Sequence, residues 1–243
     1  MKRFWDTARA EPGDEGFVVL LDGRPMHLPG GAALHVRAEP LAHAIAAEWQ
    51  AAGGDKGGEM SFADTPLTRL AGTAQQRIAV DQALTVDAIA RYGETDLLCY
   101  RAEAPDGLVQ RQARAWQPWL DWAALTYDAP LRIGSGITHV KQHRDSIGAL
   151  RLAVAALDTE ALAGLGIAVP ALGSLVLGLA LADGRLDAAE AHALGALDEL
   201  FQAEQWGEDA EAAARRHAIA RDIALAARFI ALTRDQGVRG QGV

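Results

Sequence analysis

A chain of 243 residues with 32 acidic and 23 basic side chains, a formal net charge of -9 and a hydrophobic fraction of 50% is long enough for one large or two modest domains, each with a proper core. The acidic balance excludes a grip on nucleic acid, which needs clustered Lys and Arg in excess. The single cysteine, Cys99, excludes an internal disulfide and a cysteine-built metal cage, and points to a reducing compartment.

The opening residues, MKRFWDTARAEPGDEG, place no apolar segment behind the basic pair Lys2-Arg3, so neither a secretory signal nor an Arg-rich transit peptide is read, and a bacterial cytoplasmic location is expected. Strands come first. Residues 17–21 are a run of large apolar side chains, Asp22-Gly23 is a hairpin turn and residues 24–28 return as the partner strand, with a further short strand at 34–36. Glu39-Pro40 opens a helix that puts Leu41, Ile45, Trp49 and Ala52 on one face, and Gly53-Gly54 closes it ahead of a Gly-rich loop over 55–61. A small strand layer with one covering helix makes a compact α+β unit.

From Thr65-Pro66 the chain turns helical. Thr65 is expected to cap and Pro66 to occupy the first turn of a helix running through Leu70, Ile78 and Leu84 to Tyr92-Gly93, with a break near Gly72 left open. Residues 97–100 are too short to classify by period. Asp106 is expected to cap a helix through Leu125 that carries Trp116, Trp119 and Trp122, bent or restarted at Pro118. The IGSGI stretch at 133–137 matches neither a phosphate loop nor a nucleophile elbow and reads as a turn. His139 and His143 are four apart and can share a helical face, but no Glu follows His139 as in zinc proteases, and no metal is assigned. Residues 146–157 form a further helix with Ile147, Leu150 and Val154 inward.

The stretch 161–182, ALAGLGIAVPALGSLVLGLALA, carries no charge and is long enough to raise the question of a membrane span. Its punctuation argues otherwise: Gly164 and Gly166 end one helical piece, Val169 is pushed toward extended backbone by the following proline, and Pro170 opens a second. From Pro170 to Ala182 a helix reaches roughly 20 Å, short of the ~30 Å of hydrocarbon. It reads as a buried central helix ended by Asp183-Gly184, with Gly173, Ser174 and Gly178 leaving room for close neighbours.

Asp187 followed by Glu190 is an Asp form of the capping box, and the helix it opens runs to Gln205 or Trp206, with Gly207 as its stop. Leu194, Leu197, Leu200 and Phe201 form its inward stripe. Glu204 falls on that stripe at its very end, whereas Glu199 points away toward solvent. Residues 209–235 make a last helix that buries Ile219, Ile223, Ala226 and Ile230 and shows Arg215, Arg216, Arg221 and Arg228 on other faces. A carboxylate on an apolar face is either a functional group or a rim residue paired with an arginine of the final helix. Cys99 between Leu98 and Tyr100 is either packed or an activated thiol. No Ser-His-Asp, Cys-His, paired-carboxylate or phosphate-cradle spacing is present, so catalysis is not assigned.

Six stretches in the same order, LDGRP (21–25), LAHAIAAEW (41–49), TPLTRLAGTA (65–74), TDLLCYRA (95–102), LGSLVLGLAL (172–181) and LDELFQAEQWG (197–207), are similar to those of one family. Over about residues 17–232 the chain resembles the ATP synthase F(1) complex assembly factor two family, assembly chaperones that hold the α subunit of the catalytic head before it joins β. The resemblance implies an α+β fold: a small N-terminal strand-rich α+β domain, placed at 1–60, followed by a larger all-α orthogonal helical bundle at 61–243. It implies a chaperone with no catalytic residues, no metal and no cofactor, whose partner is the α subunit of the F-type ATP synthase, with no nucleic acid, membrane insertion or small-molecule substrate. Glu204 and Trp206 sit in the family's E-x-W-G element, in the region held to bind the α subunit, and with them Phe201 and Glu199 become candidate partner-binding residues. Trp49 and Arg69 match equivalent positions and join the set, although Trp49 on an apolar stripe also fits a purely stabilising role. The chain departs from the family pattern at Thr65 and Gly72, where Met and Asn are expected. The rival reading is a small-molecule-binding protein or enzyme with an interdomain pocket around Cys99, Trp119 and Glu204.

Overall fold

The computed structural model of the chain describes residues 1–136 and 138–234. In order, it runs β1 (Ala8–Gly13), β2 (Gly16–Leu21), β3 (Arg24–Pro25), β4 (His35–Val36), α1 (Glu39–Ala51), α2 (Pro66–Thr73), α3 (Gln82–Ala90), β5 (Tyr100–Arg101), α4 (Asp106–Tyr127), β6 (Gly134–Ser135), α5 (Arg144–Ala155), α6 (Thr159–Leu172), α7 (Leu175–Asp183), α8 (Ala188–Gly195), α9 (Leu197–Trp206) and α10 (Ala210–Thr233). The fold is α+β, with the larger strands at the N-terminus and helices thereafter. The described chain divides into two compact units. One holds Met1–Val80, Thr159–Ala163 of α6 and the end of α10 from Arg228; the other holds Asp81–Asp158 and Gly164–Ala227. The expected boundary at residue 60 does not follow this grouping, because α2 is tied to α1. The Glu48 carboxylate accepts hydrogen bonds from the Leu67 and Thr68 amides at 2.8 and 3.2 Å. That carboxylate, not Thr65, supplies the side-chain cap of α2.

In the first unit, β2 pairs antiparallel with β1 along its whole length, while β3 pairs with Leu20 and Leu21 and β4 with Phe17 and Val18. The expected hairpin forms, and its turn takes Asp22 and Gly23 to φ of 48° and 79°. Asp22 has a second task. Its carboxylate accepts from the amides of Thr7 and Asp6 at 2.9 and 3.0 Å, which fixes the start of β1 and holds its pKa below the usual carboxylate range. β1 escapes the period-two rule because ARAEPG is polar and contains Pro12, as edge strands tolerate. α1 lies against β1 and β2 with Leu41, Ala42, Ile45, Ala46 and Trp49 buried, as the stripe predicts.

Arg3 is buried in the same unit. Its guanidinium donates to the carbonyls of Trp5, Asp6, Gln50, Ala52 and Gly54 and lies over the Trp5 ring. Gln50 and Ala52 flank the end of α1, where carbonyls lack helical partners and a cation is favourable.

Several helices break inside stretches that the sequence reading ran as one or left open. α2 passes into a π turn at Ala74–Ile78, and Asp81 caps a separate α3 by accepting from the Leu84 amide at 3.1 Å. The helix opened by Asp187 and Glu190 has its capping box, but breaks at Ala196 into α8 and α9. α4 is continuous through Pro118, and Asp106 is its first residue, not its cap. α5 starts two residues earlier than expected. His143 lies at its cap and His139 in the preceding loop, so the two share no helical face. Within the IGSGI stretch, Gly134 and Ser135 pair with Tyr100 and Arg101, and Ile137 lies outside the described residues. Asp235, the expected end of the last helix, also lies outside them.

The apolar run differs most. α6 continues through Gly164, Gly166, Val169 and Pro170 and ends at Leu172. Pro170 lies inside α6, which ends two residues later at Leu172. The break falls instead at Gly173, with φ of 62°, and Ser174 caps α7 by accepting from the Leu177 amide at 3.0 Å. Every residue of α7 from Leu175 to Leu181 is buried. Its neighbours in the core include Leu98, Trp116, Leu172, Ile223 and Ala226. Among the described residues no helix is long and apolar enough to cross a membrane.

At Gly178 α7 packs tightly on α6: a Cβ there would lie 2.4 Å from a Val169 methyl and 3.2 Å from a Leu165 methyl. Gly178→Ala is therefore expected to destabilise by about 1–2 kcal/mol in urea unfolding, although alanine favours helix, because overpacking outweighs the propensity gain.

Candidate partner-binding site

The end of α9 gathers most of the residues singled out in the sequence. Leu197 and Phe201 turn inward and Gly207, with φ of 90°, stops the helix. Glu204 does not sink into the core at the end of this stripe. It stands at the rim and accepts two hydrogen bonds from Arg111 of α4, at 2.8 and 2.7 Å. The guanidinium also lies 5.1 Å from the centre of the Phe201 ring. Arg111 is thus held by a carboxylate and an aromatic face together, the bidentate and stacking geometry that arginine alone provides. Each charge steadies the other: the bond to Arg111 holds Glu204 below its ordinary pKa, and the bond to Glu204 holds Arg111 above its own.

The arginine comes from α4, not from the final helix as the sequence suggested. Of the final helix's arginines, Arg215 lies 3.5 Å from Glu199, and Arg216 3.9 Å from Glu199 and 2.5 Å from Glu208. Arg216 is buried, not displayed, and Ile219 is only half covered. Glu199 therefore serves the contact between α9 and α10. Trp206, by contrast, is 77% exposed at the tip of α9. Phe201, Glu204 and Arg111 make one cluster on the second unit, a partly exposed ion pair over a packed ring, and Trp206 stands in solvent at the end of the same helix.

A buried polar brace holds α9 to α4 beneath this patch. Gln112 donates to Asp198 at 2.7 Å and accepts from the Ala102 amide at 2.8 Å, and its carbonyl accepts from Arg101 at 2.9 Å. Neither this brace nor the role of Arg111 has a local signature. α4 reads as an amphipathic helix, and nothing in its spacing says which polar residue meets α9.

Trp49 and Arg69 belong to the first unit. Trp49 is 4% exposed, packs 5.0 Å from Trp5 ring to ring, accepts from the Trp5 indole at its carbonyl and donates to the Thr68 hydroxyl at 2.8 Å. Its contacts are internal, which makes it a packing residue. Arg69 is exposed on α2.

Cys99 is completely buried; burial, aided by the charge of Asp96, pushes its thiol up to about 12 against the pull of Arg101. A thiol so far from ionisation is no nucleophile. Among the described residues no group of three or more His, Cys, Asp or Glu side chains is placed to hold a metal ion. His139 meets the Tyr100 hydroxyl at 3.3 Å, and His143 accepts from the Asp145 amide.

Residues 2–124 match the model of a family described as ATP12 chaperone protein. The chain is 43% identical to the crystal structure of Atp12 from Paracoccus denitrificans, with a TM-score of 0.90 over 96% of this chain and 98% of that one. It is 36% identical to Atu1473 from Agrobacterium tumefaciens, with a TM-score of 0.88 over 96% of this chain and 86% of that one. The mitochondrial protein atp12 of Schizosaccharomyces pombe is 26% identical over 218 residues, 85% of this chain and 74% of the relative. The match to the family model and the full-length likeness at 43% identity make this chain a member of the ATP12 chaperone protein family.

Proposed function

We propose that this ATP12-family assembly chaperone of ATP synthase holds the unassembled α subunit of the catalytic head, and that the tip of α9 is part of its grip. The observation that carries the placement is Trp206, which stands 77% exposed on a helix end braced from below while the neighbouring Phe201 is packed. A large aromatic side chain kept in solvent at the end of a helix that also carries an exposed Arg–Glu pair is the composition of an interface anchor with a polar rim. A newly made α subunit exposes an apolar surface that β will later cover. Covering it reversibly lowers the free concentration of the sticky species, and β displaces the chaperone by offering a larger contact. The net charge of -9 favours solubility of the complex. No chemical step is assigned to the chain, and the sealed, un-ionised Cys99 counts against an enzyme built around it.

Trp206→Ala and Glu204→Lys test the placement. Each is expected to weaken binding of purified α subunit about tenfold or more in titration calorimetry, with the unfolding midpoint little changed because both side chains are exposed. Folded variants of both residues with wild-type affinity would remove the site from α9. A wild-type chain that does not bind α would remove the function.

A further inference from the structure

The first unit carries a second surface that the α9 patch does not account for. Along α2 and the π turn that continues it, Arg69, Gly72, Gln76 and Arg77 recur at helical spacing and line a groove of about 420 Å³ together with Leu28 and Phe62. Gly72 lets the wall close, since a Cβ there would lie 3.0 Å from a Leu28 methyl, and Gln76 donates to the Pro29 carbonyl at 2.9 Å. Phe62, on a short 3-10 turn, is 44% exposed at the edge. Eight residues of helical spacing set Arg69 and Arg77 roughly 12 Å apart along the groove. Among the described residues neither guanidinium has a hydrogen-bond or ion-pair partner. The two capping carboxylates around the start of α2 are engaged elsewhere: Glu48 by the Leu67 and Thr68 amides, Asp64 by Ser61.

We propose that this groove takes an acidic segment of the same client protein, an apolar side chain seated against Phe62 and Leu28 and carboxylates on either side meeting Arg69 and Arg77. The inference rests on the reading of the chain as a holder of the α subunit and adds a second contact to it. Two unpartnered cations in one groove of a chain with a net charge of -9 select a negatively charged occupant. The apolar wall selects a side chain rather than a bare inorganic anion.

The test uses the full chain and purified α subunit, titrated at several salt concentrations. Replacing both Arg69 and Arg77 by alanine is expected to weaken binding about tenfold and flatten its salt dependence, whereas lysine at both positions keeps most of the affinity. Phe62→Ala is expected to weaken binding without altering the salt slope. Wild-type binding of α together with unchanged affinity and slope in the double alanine variant overturns the groove and leaves the α9 proposal standing. Failure of the wild-type chain to bind α overturns both. A self-association seen by sedimentation that the double alanine variant abolishes while α binding persists assigns the groove to a second copy of the chain, and overturns the inference too.

Discussion

Asp96→Ala is expected to destabilise the fold by about 3 kcal/mol in urea unfolding at neutral pH, because it strands donors that nothing else can reach. Asp96 is completely buried between α3 and β5 and accepts from the Leu98 amide and from the Val176 amide in the first turn of α7, both at 3.0 Å. The Leu97 amide donates to the Gly173 carbonyl at 2.9 Å, so the break between α6 and α7 is clamped from both sides. A carboxylate at this helix start also meets the positive end of the helix dipole. Burial nevertheless raises its pKa to about 6, outweighing the bonds from Val176, Leu98, Ser174 and Leu175 that lower it. The sign of the pH effect follows. A carboxyl that binds its proton more tightly folded than unfolded contributes stability at low pH and loses it as pH rises from about 4 to about 6, beyond which the contribution is flat. Measured against Asp96→Asn, which does not titrate, the wild type is expected to gain about 2 kcal/mol between pH 7 and pH 4. Parallel stability curves for the two proteins would mean that Asp96 keeps an ordinary pKa.

Arg3→Ala is expected to cost about 3–5 kcal/mol, by analogy with the loss of one member of a buried charged network. Five carbonyls face the guanidinium, among them those of Gln50 and Ala52 at the end of α1, and removal leaves them short of donors around a cavity beside Trp5. Arg3→Lys is expected to recover only a minor part, since an ammonium offers three donors from one point where the guanidinium offers a planar fork. Thermal unfolding followed by tryptophan fluorescence measures both variants. A midpoint within a degree or two of wild type for Arg3→Ala would show that water replaces the arginine.

Arg3 and Asp96 mark where sequence reading stops. A single arginine near a polar N-terminus and a single aspartate before LLCY carry no local sign of burial. What holds them is a ring of main-chain partners that joins near neighbours to residues far along the chain, Gln50, Ala52 and Gly54 for Arg3 and Val176 for Asp96. Features set by near neighbours were legible: the α1 stripe, the Asp22-Gly23 turn, the Asp187 capping box and the stop at Gly207 all depend on spacing within a few residues. The breaks were less so. Pro170 is the stronger breaker on paper, yet α6 runs through it to Leu172 and the break falls at Gly173, where the backbone turns left-handed. The break at Ala196 has no comparable signal beyond Gly195, where a Cβ would crowd Leu172. For the candidate site, helical period put Glu204 on the Phe201 side of α9, yet its partner Arg111 lies 93 residues away. A lone sequence offers many arginines and no rule for choosing among them.

The grouping of Thr159–Ala163 and the last turns of α10 with the first 80 residues has a consequence for how the chain is made. Phe229 and Ile230 are buried in a unit whose sheet and α1 leave the ribosome long before them. At ~5–20 residues per second, the early part waits on the order of ten seconds for its closing turn. Until Phe229 and Ile230 have been made, a member of a chaperone family is itself a nascent polypeptide with part of its interior uncovered.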